Sequence, residues 1–209
     1  MQLKVLKKDR PQGIVIWRGP SEFTGRPTVV IATGIRVASG NVKTGKMVQV
    51  YILSDEAAPL DAVKNPNLEN TACGNCPHQQ TEDNGCYVNI GHGPTMVWKA
   101  YERGLYPDMT DNPAGVVQAL YHKRIRFGAY GDPAAVPFDV WKPIVKIAKM
   151  WTGYTHAWRT TDQRFSGFLM ASCDSLADKH LATSRGWRSF RVLTVGDATE
   201  SSEFQCPAD

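Results

Sequence analysis

"RIRFGAYGDPAAVPFDVWKPIVKIAKM", residues 124–150, is the stretch that decides how this chain is read. "RIRFGAYGD" has the composition of a strand running into a Gly-Asp turn, and "PFDVWKPIVKIAKM" reads as a helix interrupted at Pro143. The pattern then repeats. "YTHAWR" reads as a short strand, "GFLMASCD" as another, "SLADKHLATSRG" as a helix closing at Gly186, and "RSFRVLTVG" as a final strand. Strand, helix, strand in succession is the pattern of α/β architecture with a parallel sheet. The expected fold is a partial or decorated TIM-barrel-like sheet with a β-rich N-terminal part and a Cys-bound metal loop.

Each of these strands keeps its polar residues at its C-terminal end. Tyr130, Gly131 and Asp132 close one; Thr155, His156, Trp158 and Arg159 close the next; Ser172, Cys173 and Asp174 close the third. Parallel sheets bind ligands at the C-terminal strand ends, so the three groups are expected to converge on one cleft. Asp132 is either a helix cap or a nucleophile or general base fixed at the mouth of the sheet, and Asp174 carries the same two readings. Tyr130, Tyr154, Thr155, His156, Trp158 and Arg159 form the candidate substrate site, since this mixture stacks on a base and holds a phosphate. Core packing is the plainer reading of the aromatic members.

Upstream, "AGVVQALYHK" reads as a helix begun by Asn112 and Pro113, and "TMVWKAYERGLY" as one ending at Gly104. Before them lies "CGNCPHQQTEDNGCYVNIGHGP", residues 73–94, with Cys-x2-Cys, nine residues, then Cys. Two cysteines at this spacing reach adjacent positions on one metal ion. Cys73, Cys76, Cys86 and His78 are the metal candidates, with His92, Cys173 and Cys206 as other sources of a fourth ligand. Zinc makes this a structural staple; an iron–sulfur cluster on three cysteines leaves one iron open. Two surface thiols and no metal is the bland alternative.

"GIVIW", "TVVIATG" and "MVQVYIL" read as strands joined by turns, and "SGNVKTGK" between the last two is a polar loop. That loop is a hairpin turn, or a phosphate contact through Lys43 and Thr44. The basic residues Lys123, Arg124, Arg126, Arg185, Arg188 and Arg191 form either a solvated face or a nucleic-acid track, with Lys43, Lys123, Arg124, Arg126 and Arg188 as the candidate contacts.

With 209 residues, 42% of them hydrophobic, the chain buries a core without needing a metal or disulfide, and one domain over 1–209 is expected. Its parts are a β-rich part over 1–70, a cysteine loop over 71–95 and α/β units over 96–209. A formal charge of +4 suits a phosphate-bearing partner without making charge the basis of binding. No apolar run is long enough to span a membrane and no signal-peptide pattern is seen at the start, so the cytoplasm, reduced thiols and no membrane partner are expected.

"RFGAYGDPAAVP", "GYTHAWR", "FLMASCDS", "GWRSFRV" and the cysteine cluster together resemble small phage and plasmid proteins of the tRNA-guanine transglycosylase superfamily and its DNA-acting relatives, over roughly residues 40–195. The resemblance implies exchange of guanine in DNA for a 7-deazaguanine base, with DNA ahead of RNA as partner. Asp132 would attack C1′, Asp174 would act as general acid/base, and the aromatic strand ends would stack on a flipped nucleotide. A radical-SAM-like iron–sulfur enzyme is the second reading, although its usual Cys-x3-Cys-x2-Cys spacing differs from the spacing here. A zinc-stapled, non-enzymatic nucleic-acid or host-protein binder is the third.

Overall fold

Seven strands run side by side in chain order: β1 (Gly13–Pro20), β2 (Pro27–Thr33), β3 (Val48–Ser54), β4 (Arg124–Tyr130), β5 (Met150–Thr155), β6 (Met170–Cys173) and β7 (Arg188–Arg191). They are seen in a computed structural model that describes residues 11–37, 45–79 and 85–206. The first three strands form an antiparallel meander, and every pairing from β3 onward is parallel. The α/β class and the parallel second half are as the sequence pattern implies. The sheet is open, however, with β1 and β7 at opposite edges, so it does not close into a barrel.

Six α-helices accompany the sheet among the described residues: α1 (Pro59–Ala62), α2 (Pro66–Cys73), α3 (Gly93–Glu102), α4 (Pro113–Leu120), α5 (Phe138–Ile147) and α6 (Leu176–Ser184). One face buries Ile14, Val30, Val50, Ile125 and Phe127 against α4, α5 and α6 through Val116, Leu120, Trp141, Ile144 and Ala182. The other face buries Val15, Val29, Ile31 and Leu53 under α2 and α3 through Ala72, Val97 and Trp98. Strands covered on both sides need unbroken apolar runs, which is why "GIVIW" and "TVVIAT" lack a polar alternation.

Several local expectations change. Helices α1 and α2 occupy residues 59–73, so the β-rich part ends near Ser54 and Cys73 closes a helix instead of opening a loop. α5 runs through Pro143 without interruption, because the missing N–H removes only the bond to the Asp139 carbonyl. β5 lies upstream of its expected place, in "MWTGYT", and residues 157–159 form a 3-10 turn. Asn112 caps α4 as expected, its side chain accepting from Gly115 N at 2.9 Å. All of α1–α4 and all three clustered cysteines belong to the single β3–β4 crossover, residues 55–123.

The turn after β4 is built for tight approach. Gly131 has φ +78°, and a Cβ there would stand 2.4 Å from the Ile52 carbonyl oxygen, so only glycine fits. Trp141, fully buried, donates from Nε1 to the Pro133 carbonyl at 2.9 Å and pins this turn to α5.

Candidate functional site

Asp132 follows that turn, and it is surrounded by donors. Oδ1 accepts from Ala134 N at 2.9 Å, while Oδ2 accepts from Thr155 Oγ1 at 2.9 Å and from His156 N at 3.0 Å. Its own N–H donates to the Ala72 carbonyl at 2.7 Å. One residue thus joins the end of α2, beside Cys73, to the end of β5, beside His156. Burial pushes its carboxyl up to about 6, against the downward pull of these hydrogen bonds. Asp132 therefore takes the capping reading, on the 3-10 turn 133–135, and both of its oxygens are occupied.

Asp174 is different. Ser175 caps α6, its Oγ accepting from Asp178 N at 3.1 Å, which leaves the Asp174 carboxylate for other partners. It lies 2.9 Å from His78 Nε2 and 3.6 Å from His156 Nε2, with about a third of the side chain exposed. His156 turns its other nitrogen, Nδ1, to Cys76 Sγ at 3.4 Å. Burial holds the His156 imidazole below its ordinary value, opposed by the Asp174 carboxylate.

The cysteines form one electrostatic group. Burial pushes the Cys73 thiol well up, and Glu69, Cys76, Cys86 and Asp132 add to the rise. Cys76 is pushed up to about 12, first by burial, with a hydrogen bond from the His78 backbone pulling down and Cys86, Asp132 and Asp174 pushing further up. Cys86 is raised by burial and by Glu69, and a hydrogen bond from the Val88 backbone opposes this. Every charge acting on Cys73 is an anion or another thiolate. Raised in this way the three are neutral thiols, and among the described residues their sulfurs do not all come within 4.8 Å of one another, the set that does being His78, His156 and Asp174. Cys173 is buried in the core with its thiol on the Ala171 carbonyl, and Cys206 lies in the C-terminal tail, so neither joins the group.

Beside these residues opens a cleft of about 860 Å³, lined among others by Cys73, Cys76, His156, Arg159 and Arg164. Arg159 stacks on Trp158 at 4.1 Å and pairs with Asp178, and Arg164 stacks on Phe138 at 4.4 Å and pairs with Asp162. The volume suits a nucleoside-sized molecule.

Three of the expected basic contacts also meet. Arg124 and Arg126 alternate with the core residues Ile125 and Phe127, so they point to the opposite face of β4. Arg126 registers with Thr152, Tyr154 with Met170, and Met170 with Arg188, which puts all of them on one side. Tyr154 and Phe190 stack there with ring centres 4.8 Å apart, and Arg126 donates to the Tyr87 hydroxyl at 2.8 Å. Arg124, Arg126, Thr152, Tyr154, Met170, Arg188 and Phe190 on this side are half-buried or exposed. Lys123 stands just ahead of β4, its carbonyl accepting from Lys149 N. Lys43 lies outside the described residues.

Other expectations are corrected by burial. Trp158 is 2% exposed in the core with Nε1 donating to the Ser172 carbonyl, and Tyr130 is 5% exposed and beside Cys73, so neither stacks on a ligand. Thr155 is buried and spent on Asp132. His78 stands with Asp174 and His156 instead of completing the thiol set. Glu69, buried among the thiols, went unnoticed in the sequence, although it lies four residues before Cys73 on the same helix and so shares its face. Comparison of the chain with family models, curated proteins and solved structures finds no match in any of the three.

Proposed function

We propose that this chain is a metal-dependent enzyme that modifies a base of a nucleic acid, DNA ahead of RNA, in the reducing cytoplasm, with a radical-SAM-like organisation. One observation supports the reading: the crossover that follows the first parallel strand brings Cys73, Cys76 and Cys86 within electrostatic reach of one another, with Cys73 and Cys76 lining the cleft. Cys73, Cys76 and Cys86 would hold an iron–sulfur cluster, which supplies an open iron and an electron when bound. The consecutive strand order of β3–β7 is compatible with a segment of a TIM-barrel-like sheet.

The protein's own residues have separable tasks in this reading. Asp132 fixes Ala72 and His156 and thereby sets the distance between the thiols and the imidazole. Arg159 and Arg164 would hold a phosphate in the cleft by exchanging their present partners Asp178 and Asp162 for it. Arg126, Tyr154, Phe190 and Arg188 provide stacking and backbone contacts for a strand leading to it.

Guanine exchange for a 7-deazaguanine is the second reading, and the accessible Asp174 carboxylate favours it. The nucleophile would then be Asp174, since both oxygens of Asp132 are already hydrogen-bonded. Anaerobic purification separates the two. Brown protein containing iron and acid-labile sulfide in equal amounts, lost on Cys76→Ser, supports the cluster. Colourless protein with zinc, together with incorporation of labelled 7-deazaguanine into DNA, sinks it in favour of base exchange.

A further inference from the structure

We infer that His78, His156 and Asp174 form a second, mononuclear divalent-metal site that uses no thiol. The three residues come from three parts of the fold: the cysteine segment, the end of β5 and the end of β6. Their donor atoms all lie within 4.8 Å of one another. Donors bound to one ion at about 2.0–2.2 Å stand about 3–3.5 Å apart in tetrahedral or octahedral sites. The distances from Asp174 Oδ1, 2.9 Å to His78 Nε2 and 3.6 Å to His156 Nε2, lie to either side of that spacing and within about 0.1 Å of it.

His156 supplies the independent observation. Its Nε2 is buried and has no hydrogen-bond partner, a state in which few buried side-chain nitrogens are left. Its Nδ1 faces Cys76 Sγ at 3.4 Å. With the proton on Nδ1 directed at sulfur, Nε2 carries the free lone pair that a metal requires, and this is how an outer partner fixes the tautomer of a ligating histidine. The backbone holds the ring in place, because His156 N is bonded to Asp132 Oδ2 at 3.0 Å.

Two imidazoles and one carboxylate select a borderline ion such as Fe2+, Co2+, Zn2+ or Mn2+ over Mg2+ or Ca2+. Three protein ligands leave coordination positions open, and His156 lines the cleft, so the ion is positioned to meet a substrate oxygen or water. The site goes beyond the proposed cluster and stands or falls apart from it.

The test is anaerobic titration of Co2+ into the chain as isolated, with its thiol-bound metal counted beforehand. One further equivalent is expected, giving weak visible bands without sulfur-to-cobalt charge transfer. His78→Gln and Asp174→Asn should each weaken it about 100-fold or more while the thiol-bound metal stays unchanged. Paramagnetic broadening of the His78 and His156 ring signals in the unaltered protein gives the same answer without relying on variants. No added cobalt, cobalt bound only through sulfur, or unbroadened ring signals would overturn the site and leave a simple His78–Asp174 ion pair. Absence of iron and sulfide, by contrast, would count against the cluster alone.

Discussion

Asp132 and Asp174 occupy equivalent places after successive parallel strands, yet their surroundings give them opposite roles. Asp132 is a positioning residue with a raised carboxyl, so its contribution to stability is fully present below about pH 3.8 and is lost as pH rises through about 6. The size of that loss is about 3 kcal/mol. Asp132→Asn should remove this slope, and by turning an acceptor into a donor against His156 N–H should cost about 1–3 kcal/mol at acid pH. Urea denaturation of both proteins at about pH 4.5 and about pH 7.5, with chelator present, measures the difference. A wild-type protein equally stable at both values would show that its hydrogen bonds outweigh burial. Sequence made both carboxylates visible as strand-end residues. It could not tell them apart, because the distinction lies in Thr155, the His156 N–H and Ser175, whose partnerships depend on the turn that Gly131 permits.

At the scale of elements, the half-exposed side of β4–β7 that carries Arg126 and Tyr154 was legible only in pieces. Arg124, Arg126, Arg188 and Tyr154 stood out as residue types, but their common side depends on parallel register, and the spacing of charges along a chain does not reveal that. Arg126→Ala and Arg188→Ala should each lower the salt dependence of single-stranded DNA binding by roughly 0.7 in the log–log slope. Tyr154→Ala should weaken binding by about 1–3 kcal/mol through lost stacking. Fluorescence anisotropy over a salt series reads both effects, and unchanged slopes would show that nucleic acid does not use this face. The C-terminal tail gives an opposite pH dependence. Arg191 and the Glu200 backbone hold the Glu203 carboxyl down at about 2, and Lys179 bridges Glu200 and Glu203. Its contribution is present above about pH 4.5 and lost as pH falls toward 2, so hydrogen exchange of residues 194–206 should accelerate across that acid range while α6 stays protected.

For the whole molecule, the parallel half was readable because each strand and helix follows the last in both sequence and space. The open edge was not, since nothing in "RSFRVLTVG" says that no further strand follows β7 in the described sheet. Nor were α1 and α2 visible: α1 has only 4 residues, and α2, "PNLENTAC", carries Leu68 as its one large apolar side chain, so neither shows an apolar period. The metal proposed for the thiols gives a test at this scale. Chelation should speed hydrogen exchange in residues 66–95 and lower the melting temperature, and should leave β1–β3 as protected as before. Uniform loss of protection would mean that the metal supports the entire sheet.

The 55–123 crossover also bears on how the molecule assembles. Meander strands and consecutive βα units close short loops, whereas joining β3 to β4 closes the longest one, at a greater entropic cost. The residues proposed to bind metal belong partly to that late-closing segment and partly to the ends of β5 and β6. A chain caught before this step would have its thiols and His78 but not His156 or Asp174 beside them. Metal uptake would therefore serve as a checkpoint on folding: only a chain with β4, β5 and β6 already in register could retain the ion, and reactivity would be confined to molecules that have finished folding.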